Sequence, residues 1–210
     1  EYLCATGLKQ FSISETQKFG HVTYFFNGNK TGKFNEELEE YVEIPSDIVP
    51  FEERPWMKCA EIADRVIKEI ESGKWDLIKL NFPNGDMVGH TGVFEAVVCS
   101  MEAMDLQIGR IWDAIKKAGG VMVVTADHGN ADDMYEHGKD GSLKLKKDGE
   151  PKSKTSHSLN PVPCIICDSA YNGEYSKELK SGLGISSIPA TLMNLLGYDA
   201  PEDYDPSVIT

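Results

Sequence analysis

In Asp86-Met87-Val88-Gly89-His90 a carboxylate and an imidazole lie four residues apart, a spacing that puts both on one face of a helical turn, where they can converge on one ion. Helix capping by Asp86 and a plain surface role for His90 are the ordinary alternatives. A second pair, Asp127-His128, follows the apolar run 121–126 and precedes Gly129-Asn130. Two ligand types thus arrive together at the end of a predicted strand, next to a glycine that permits a sharp turn. A turn aspartate beside an exposed histidine would give the same letters. His157, in Ser156-His157-Ser158-Leu159-Asn160-Pro161, precedes another predicted strand and by itself reads as a loop histidine. Taken together, these two carboxylates and three imidazoles form a ligand set for two divalent ions. Paired ions suit phosphoryl transfer, since one can activate the attacking oxygen while the other neutralises the phosphate and the leaving oxygen. No thiolate belongs to the set, which favours a catalytic over a structural site. Such O/N donors accept Mn, Zn, Co or, less comfortably, Mg.

The elements that must position these residues alternate in the manner of an α/β protein. Residues 20–26 are β-branched and aromatic and end at Asn27-Gly28, which predicts a strand running into a turn. The acidic stretch 29–56, broken by Pro45, Pro50 and Pro55, predicts a long surface excursion. Three-four spacing of Cys59, Ile62, Ala63, Val66, Ile67 and Ile70 predicts a helix stopped at Ser72-Gly73, followed by a buried strand over 76–82. Phe94, Val97, Met101, Met104, Ile108, Ile111 and Ile115 mark one apolar face of a long helix. The run 121–126 fits a central parallel strand buried on both faces. Lysine and glycine dominate 137–156, as in a solvated hairpin or loop; a strand over 162–167 and a helix over 185–196 stopped by Gly197 complete the pattern.

The chain has 210 residues, 40% hydrophobic and 26% charged, in the ordinary range of a globular protein. With 21 Lys and Arg against 34 Asp and Glu, its net charge of -13 repels nucleic acid and anionic lipid, so an anionic small-molecule substrate needs local help, most simply from a metal ion. No apolar run is long enough to span a bilayer. The five cysteines are an odd set without a secretory signal, which argues against a disulfide framework and for a reducing cytoplasmic setting. Cys164-x-x-Cys167 reads as part of a buried strand, because no second cysteine pair or nearby histidine completes a zinc site.

Three motifs carry a resemblance: Asp86-Met87-Val88-Gly89-His90-Thr91-Gly92, Ala126-Asp127-His128-Gly129-Asn130, and His157 followed by Asn160-Pro161-Val162-Pro163. With the segments 18–28 and 184–197 they make the whole chain resemble the cofactor-independent phosphoglycerate mutases of the alkaline phosphatase superfamily. That resemblance implies a three-layer α/β/α phosphatase-type domain with a mostly parallel sheet. It further implies interconversion of 3-phosphoglycerate and 2-phosphoglycerate in glycolysis and gluconeogenesis, through a phosphoserine and without 2,3-bisphosphoglycerate. Asp86, His90 and His157 correspond to ligands of one metal, Mn first among the candidates, and Asp127 with His128 to ligands of the other. Lys18 matches a lysine that contacts the transferring phosphoryl group; His21 and His137 match no ligand. In the family the nucleophilic serine, a further aspartate ligand and the inserted phosphotransferase domain lie before the point where this chain opens, at Glu1. The expectation is therefore the carboxy-terminal segment of the phosphatase domain of a monomeric parent. The sheet should be incomplete on its amino-terminal side and prone to self-association, and the chain inactive by itself. Gly85 stands where proline is usual, and Pro189-Ala190-Thr191 replaces Ala-Pro-Thr. A phosphomonoesterase of the same superfamily and a non-catalytic metal-binding module are the alternatives.

Overall fold

Phe11 and Ile13 alternate with Gln10, Ser12 and Ser14, giving a strand whose two faces differ in polarity, and this fully buried strand is the centre of the main sheet. The structure, a computed structural model, describes residues 1–209, and these fall into two units: residues 1–114 with 128–161, and residues 115–127 with the chain from 162 onward. In the first unit a short helix α1 (Tyr2–Ala5) leads into β1 (Gln10–Glu15), flanked in parallel by β2 (Glu39–Ile44) and β3 (Leu77–Asn81) in the order β2-β1-β3. The register aligns Tyr41, Ser12 and Lys79 on one face, and Glu40, Phe11 and Ile78 on the other.

Helix α2 (Cys59–Ser72) buries Cys59, Ile62, Ala63 and Val66 and packs on β1. Burying an aliphatic side chain of this size contributes about 1.5–3 kcal/mol, so this one face anchors the sheet. Gly73 closes the helix at φ 61°, a left-handed conformation that a side chain resists. Beyond β3 come α3 (Asn84–Gly89) and the long α4 (Phe94–Ala118). A second apolar cluster of Met57, Val88, Ala96, Val97 and Met134 holds both to the loop that follows residue 128. In the second unit β4 (Val121–Thr125) pairs antiparallel with β5 (Cys164–Asp168), and α5 (Ile188–Leu195) is stopped before Gly197, at φ 82°.

The α/β class with a parallel sheet, the two long helices, the strand in 76–82 and the solvated hairpin over 137–156 are as the sequence predicts. Four local expectations need correction. Residues 20–26 are not a strand: His21–Phe25 forms a π-helical turn packed on β1 and β3, with Thr23 Oγ1 donating to Phe19 O at 2.7 Å. The excursion 29–56 contains β2, whose Glu39 is buried because it accepts from Phe34 N, Asn35 N and Tyr41 Oη. The run 121–126 is half-buried in an antiparallel pair, because a short apolar run reads alike in either kind of sheet. The apolar stripe of α4 is only partly covered: Val97 and Ile111 are buried while Phe94 and Met101 are exposed. All five cysteines are free thiols, with Cys164 and Cys167 half-buried. Among the described residues no helix is long and apolar enough to cross a membrane.

Candidate metal centre

The main sheet delivers its ligands at the carboxyl ends of β1 and β3. After β1 a single 3-10 turn, Thr16–Lys18, carries Lys18 inward until its side chain is 4% exposed. After β3, Pro83 opens α3, and the buried Asn84 pins it by donating from Nδ2 to Trp56 O at 3.0 Å. Asp86 then sits in the first turn of α3 and His90 just past its end, one helical turn apart, with His90 Nε2 3.1 Å from Asp86 Oδ1.

The third contribution comes from the strap 128–158. Ser158 N donates to Gly129 O at 2.9 Å, and Asp132 Oδ2 accepts from Ser158 Oγ and Asn160 Nδ2, both at 2.7 Å. This clasp brings His128 and His157 face to face, their ring centroids 3.6 Å apart and their planes within 17°. His157 Nε2 reaches Asp86 Oδ1 at 3.1 Å and His90 Nε2 at 3.2 Å. Lys18 Nζ lies 2.9 Å from Asp86 Oδ2 and 3.2 Å from His128 Nε2. Burial pushes the Asp86 carboxyl upward, but hydrogen bonds from Lys18 and Asn130 and the nearby positive charge outweigh it and hold it at about 2. Asp86 is therefore a carboxylate over the whole working pH range.

The donor set fits a divalent cation. His90 Nδ1 lies 2.6 Å from Thr155 O, where only an N–H can donate, so neutral His90 turns the lone pair of Nε2 toward Asp86 Oδ1 and His157 Nε2. A proton on His157 serves only part of that triangle, whereas a cation at its centre satisfies all three atoms. Ligand atoms of Asp86, His128 and His157 lie within 4.8 Å of one another, and a small inward movement brings such atoms to the roughly 2.0–2.3 Å of metal bonds.

Of the residues singled out in the sequence, Lys18, Asp86, His90, His128 and His157 meet in the first unit, while Asp127 belongs to the second. His21 stacks against Phe25, and His137 pairs with Asp133; neither joins the cluster. Sequence reasoning missed the groups that hold the ligands. Asn130, 4% exposed, donates from Nδ2 to Asp86 O at 3.2 Å and Oδ1 at 2.9 Å, and its position two residues after His128 was the available signal. Thr155 acts through its carbonyl, which no side-chain type announces.

Comparison with known proteins places the arrangement in context. The family description "Metalloenzyme superfamily" matches residues 1–200. Over its whole length the chain is 46% identical to the 2,3-bisphosphoglycerate-independent phosphoglycerate mutase of Trypanosoma brucei brucei, and 50% identical to mutase 1 of Arabidopsis thaliana. It spans 38% of the length of each. A crystal structure of Leishmania mexicana phosphoglycerate mutase, described as obtained at low cobalt concentration, superposes with a TM-score of 0.95 at 45% identity, covering all of this chain and 38% of that one.

Proposed function

Because the chain belongs to the metalloenzyme superfamily, we propose that Asp86, His90 and His157 bind one divalent ion, that Asp127 and His128 serve a second, and that Lys18 contacts a phosphoryl group in transfer. The observation that carries this reading is the convergence of Lys18, Asp86, His90, His128 and His157, drawn from three distant stretches of chain, on one carboxylate. The chain would form the carboxy-terminal segment of a phosphatase-type domain, in a cytoplasmic protein that interconverts 3-phosphoglycerate and 2-phosphoglycerate through a phosphoserine. The mutases at 46% and 50% identity support that substrate class. Bound divalent ions, Mn first among Mn, Zn, Co and Mg, supply positive charge to the phosphoryl oxygens.

The residues themselves have separable tasks. Thr155 O fixes the His90 tautomer, Asn130 orients Asp86, and the Asp132 clasp sets the height of His157. Lys18, a buried ammonium with three donors, is placed to hold a phosphoryl oxygen. The serine that takes the phosphoryl group lies, by the family resemblance, in a segment other than these 210 residues. The chain by itself should therefore bind a divalent ion and show no mutase turnover. Calorimetric titration with Mn²⁺ and an enolase-coupled assay test the two halves. Absence of any ion binding would defeat the site assignment, and robust conversion of 3-phosphoglycerate by the 210-residue chain would show that the nucleophile is within it. In a polypeptide of the relatives' length carrying these residues, 2-phosphoglycerate should yield 3-phosphoglycerate; release of inorganic phosphate would favour the phosphomonoesterase alternative.

A further inference from the structure

The lysine-rich stretch 137–156 supplies none of the ligands, yet its root lies against them. Backbone bonds tie three extended passes of it into one bracket: Lys144 N donates to Glu136 O at 2.8 Å, Lys152 N to Lys144 O at 2.8 Å, and Glu136 N to Lys152 O at 2.9 Å. The bracket is anchored in the apolar cluster, because Lys154 N donates to the carbonyl of the buried Met134 at 2.9 Å. Its last residues meet the turn that carries His90. Ser153 Oγ donates to Gly92 O at 3.0 Å and Thr155 O faces His90 Nδ1 at 2.6 Å, so the turn is gripped at two points. Gly92 permits the close approach: its φ is 71°, and a Cβ there would lie 2.9 Å from Ser153 Cβ. Lys154, between the two grips, reaches Asp133 instead, with Nζ 2.6 Å from Oδ2. Resting on the reading of His90 as a metal ligand, we propose that Ser153 and the Asp133–Lys154 pair are positioning groups. They hold the Thr155 carbonyl against His90, which keeps the ring proton on Nδ1 and the Nε2 lone pair free for a cation.

The ring proton is contested, which is why the height of this carbonyl matters. A neutral His90 can donate from Nδ1 to Thr155 O or from Nε2 to Asp86 Oδ1, 3.1 Å away, and a carboxylate is the stronger acceptor. Only the closer approach of the carbonyl favours Nδ1, so a small retreat of the bracket tips the proton to Nε2 and removes the lone pair. Two features resist that retreat. Ser153 ties the bracket to the turn directly, and the half-buried Asp133 and Lys154, 23% and 21% exposed, tie its last strand to the strap behind. His137 Nε2 lies 3.1 Å from the other Asp133 oxygen, so losing His137 leaves the Lys154 contact in place.

The test is the two-bond ¹H–¹⁵N spectrum of the histidine rings in the 210-residue chain without added metal, at a pH where the nitrogen shifts report neutral imidazoles, assigned with His90→Gln. His90 should carry its proton on Nδ1 in the wild type, in Lys154→Arg, which keeps the pair with Asp133, and in the charge control Lys147→Gln. The Nε2–H form should appear in Ser153→Ala and in Asp133→Asn. In those two variants Mn²⁺ affinity, read by calorimetry, should fall by about 3–10-fold, less than the roughly 10–100-fold that follows loss of a ligand's direct hydrogen-bond partner. A merely structural role lowers the folded fraction without moving the ring proton within it. Circular dichroism checks the fold; if Asp133→Asn does not fold, Ser153→Ala, which removes one hydroxyl, decides. A His90 that stays wholly Nδ1–H in the folded variants, or that is Nε2–H in the wild type, overturns the inference and leaves the metal site standing. The expected tautomers without any Mn²⁺ binding by the wild type support the positioning and defeat the metal-site reading.

Discussion

Lys79 stands at the middle of β3 beside Ser12, 7% exposed, and its Nζ has no hydrogen-bond partner among the described residues. Its neighbours are the ring of Phe26, 4.3 Å from Nζ, the Glu39 carboxylate and the Cys4 thiol. Burial lowers its affinity for a proton from the ordinary 10.5 to about 8, against the pull of Glu39 and Cys4. At neutral pH the folded state thus carries a charged group it would rather discharge, a penalty of about 3 kcal/mol at about 1.4 kcal/mol per pH unit. Replacing Lys79 by Met removes that penalty, which is already net of the pull of Glu39, but gives up the contact of the ammonium with the Phe26 ring. The expected net gain at pH 7 is about 1–2 kcal/mol.

The sign of the pH dependence is a sharper test than the size. Between about 8 and 10.5 the unfolded chain keeps the Lys79 proton and the folded chain releases it, so wild-type stability rises with pH in that window. The raised Cys4, Cys59 and Tyr41 groups act in the opposite direction, but they are present in both proteins and largely cancel in the comparison. Urea denaturation followed by tryptophan fluorescence, at pH 7, 8, 9 and 10, should show the advantage of Lys79→Met shrinking steadily, vanishing near pH 9 and reversing by pH 10. A variant less stable than the wild type at pH 7, or a difference that does not change with pH, would refute the reasoning.

Other expectations follow from the same geometry. A Cβ at Gly89 would lie 2.5 Å from Asn130 Oδ1 and 2.9 Å from its Cγ, so Gly89→Ala should push Asn130 off Asp86, cost about 1–3 kcal/mol in denaturation midpoints and weaken Mn²⁺ binding. Ion binding by the wild type should weaken in acid, since a protonated imidazole has no lone pair to give to a metal; calorimetry between pH 5.5 and 8 reads this directly, and flat affinity over that range would exclude the histidines. His137→Gln should leave Mn²⁺ affinity within about twofold, since His137 pairs with Asp133 outside the cluster, whereas Asp86→Asn should abolish measurable binding.

How much of this could be read from the sequence depended on how far each feature is encoded in neighbouring residues. Asp86 and His90 are one helical turn apart, so their spacing alone predicts a shared face, and α3 presents them that way. The approach of His157 to them has no local signature, because it depends on the Asp132 clasp and on the Gly129 bridge to Ser158. Lys18 was visible only through the family resemblance: Thr16-Gln17-Lys18 reads as surface, and it is the turn after β1 that buries the ammonium against Asp86. The same logic explains β2. Glu39 is buried because two backbone amides and a tyrosine hydroxyl satisfy its carboxylate, so an acidic letter there marks a sheet edge held by hydrogen bonds rather than solvent exposure. The polar face of the sheet, with Ser12, Lys79 and Asn81, defeats hydrophobic patterning for a related reason. Periodicity detects where apolar side chains go, whereas this face is covered by the turn His21–Phe25, whose aromatic residues resemble a strand. Polar burial and the misread turn are two sides of one packing event at β1, the strand beneath the turn that the sequence argument misses, whereas β3 is found because the run 76–82 carries enough apolar residues of its own.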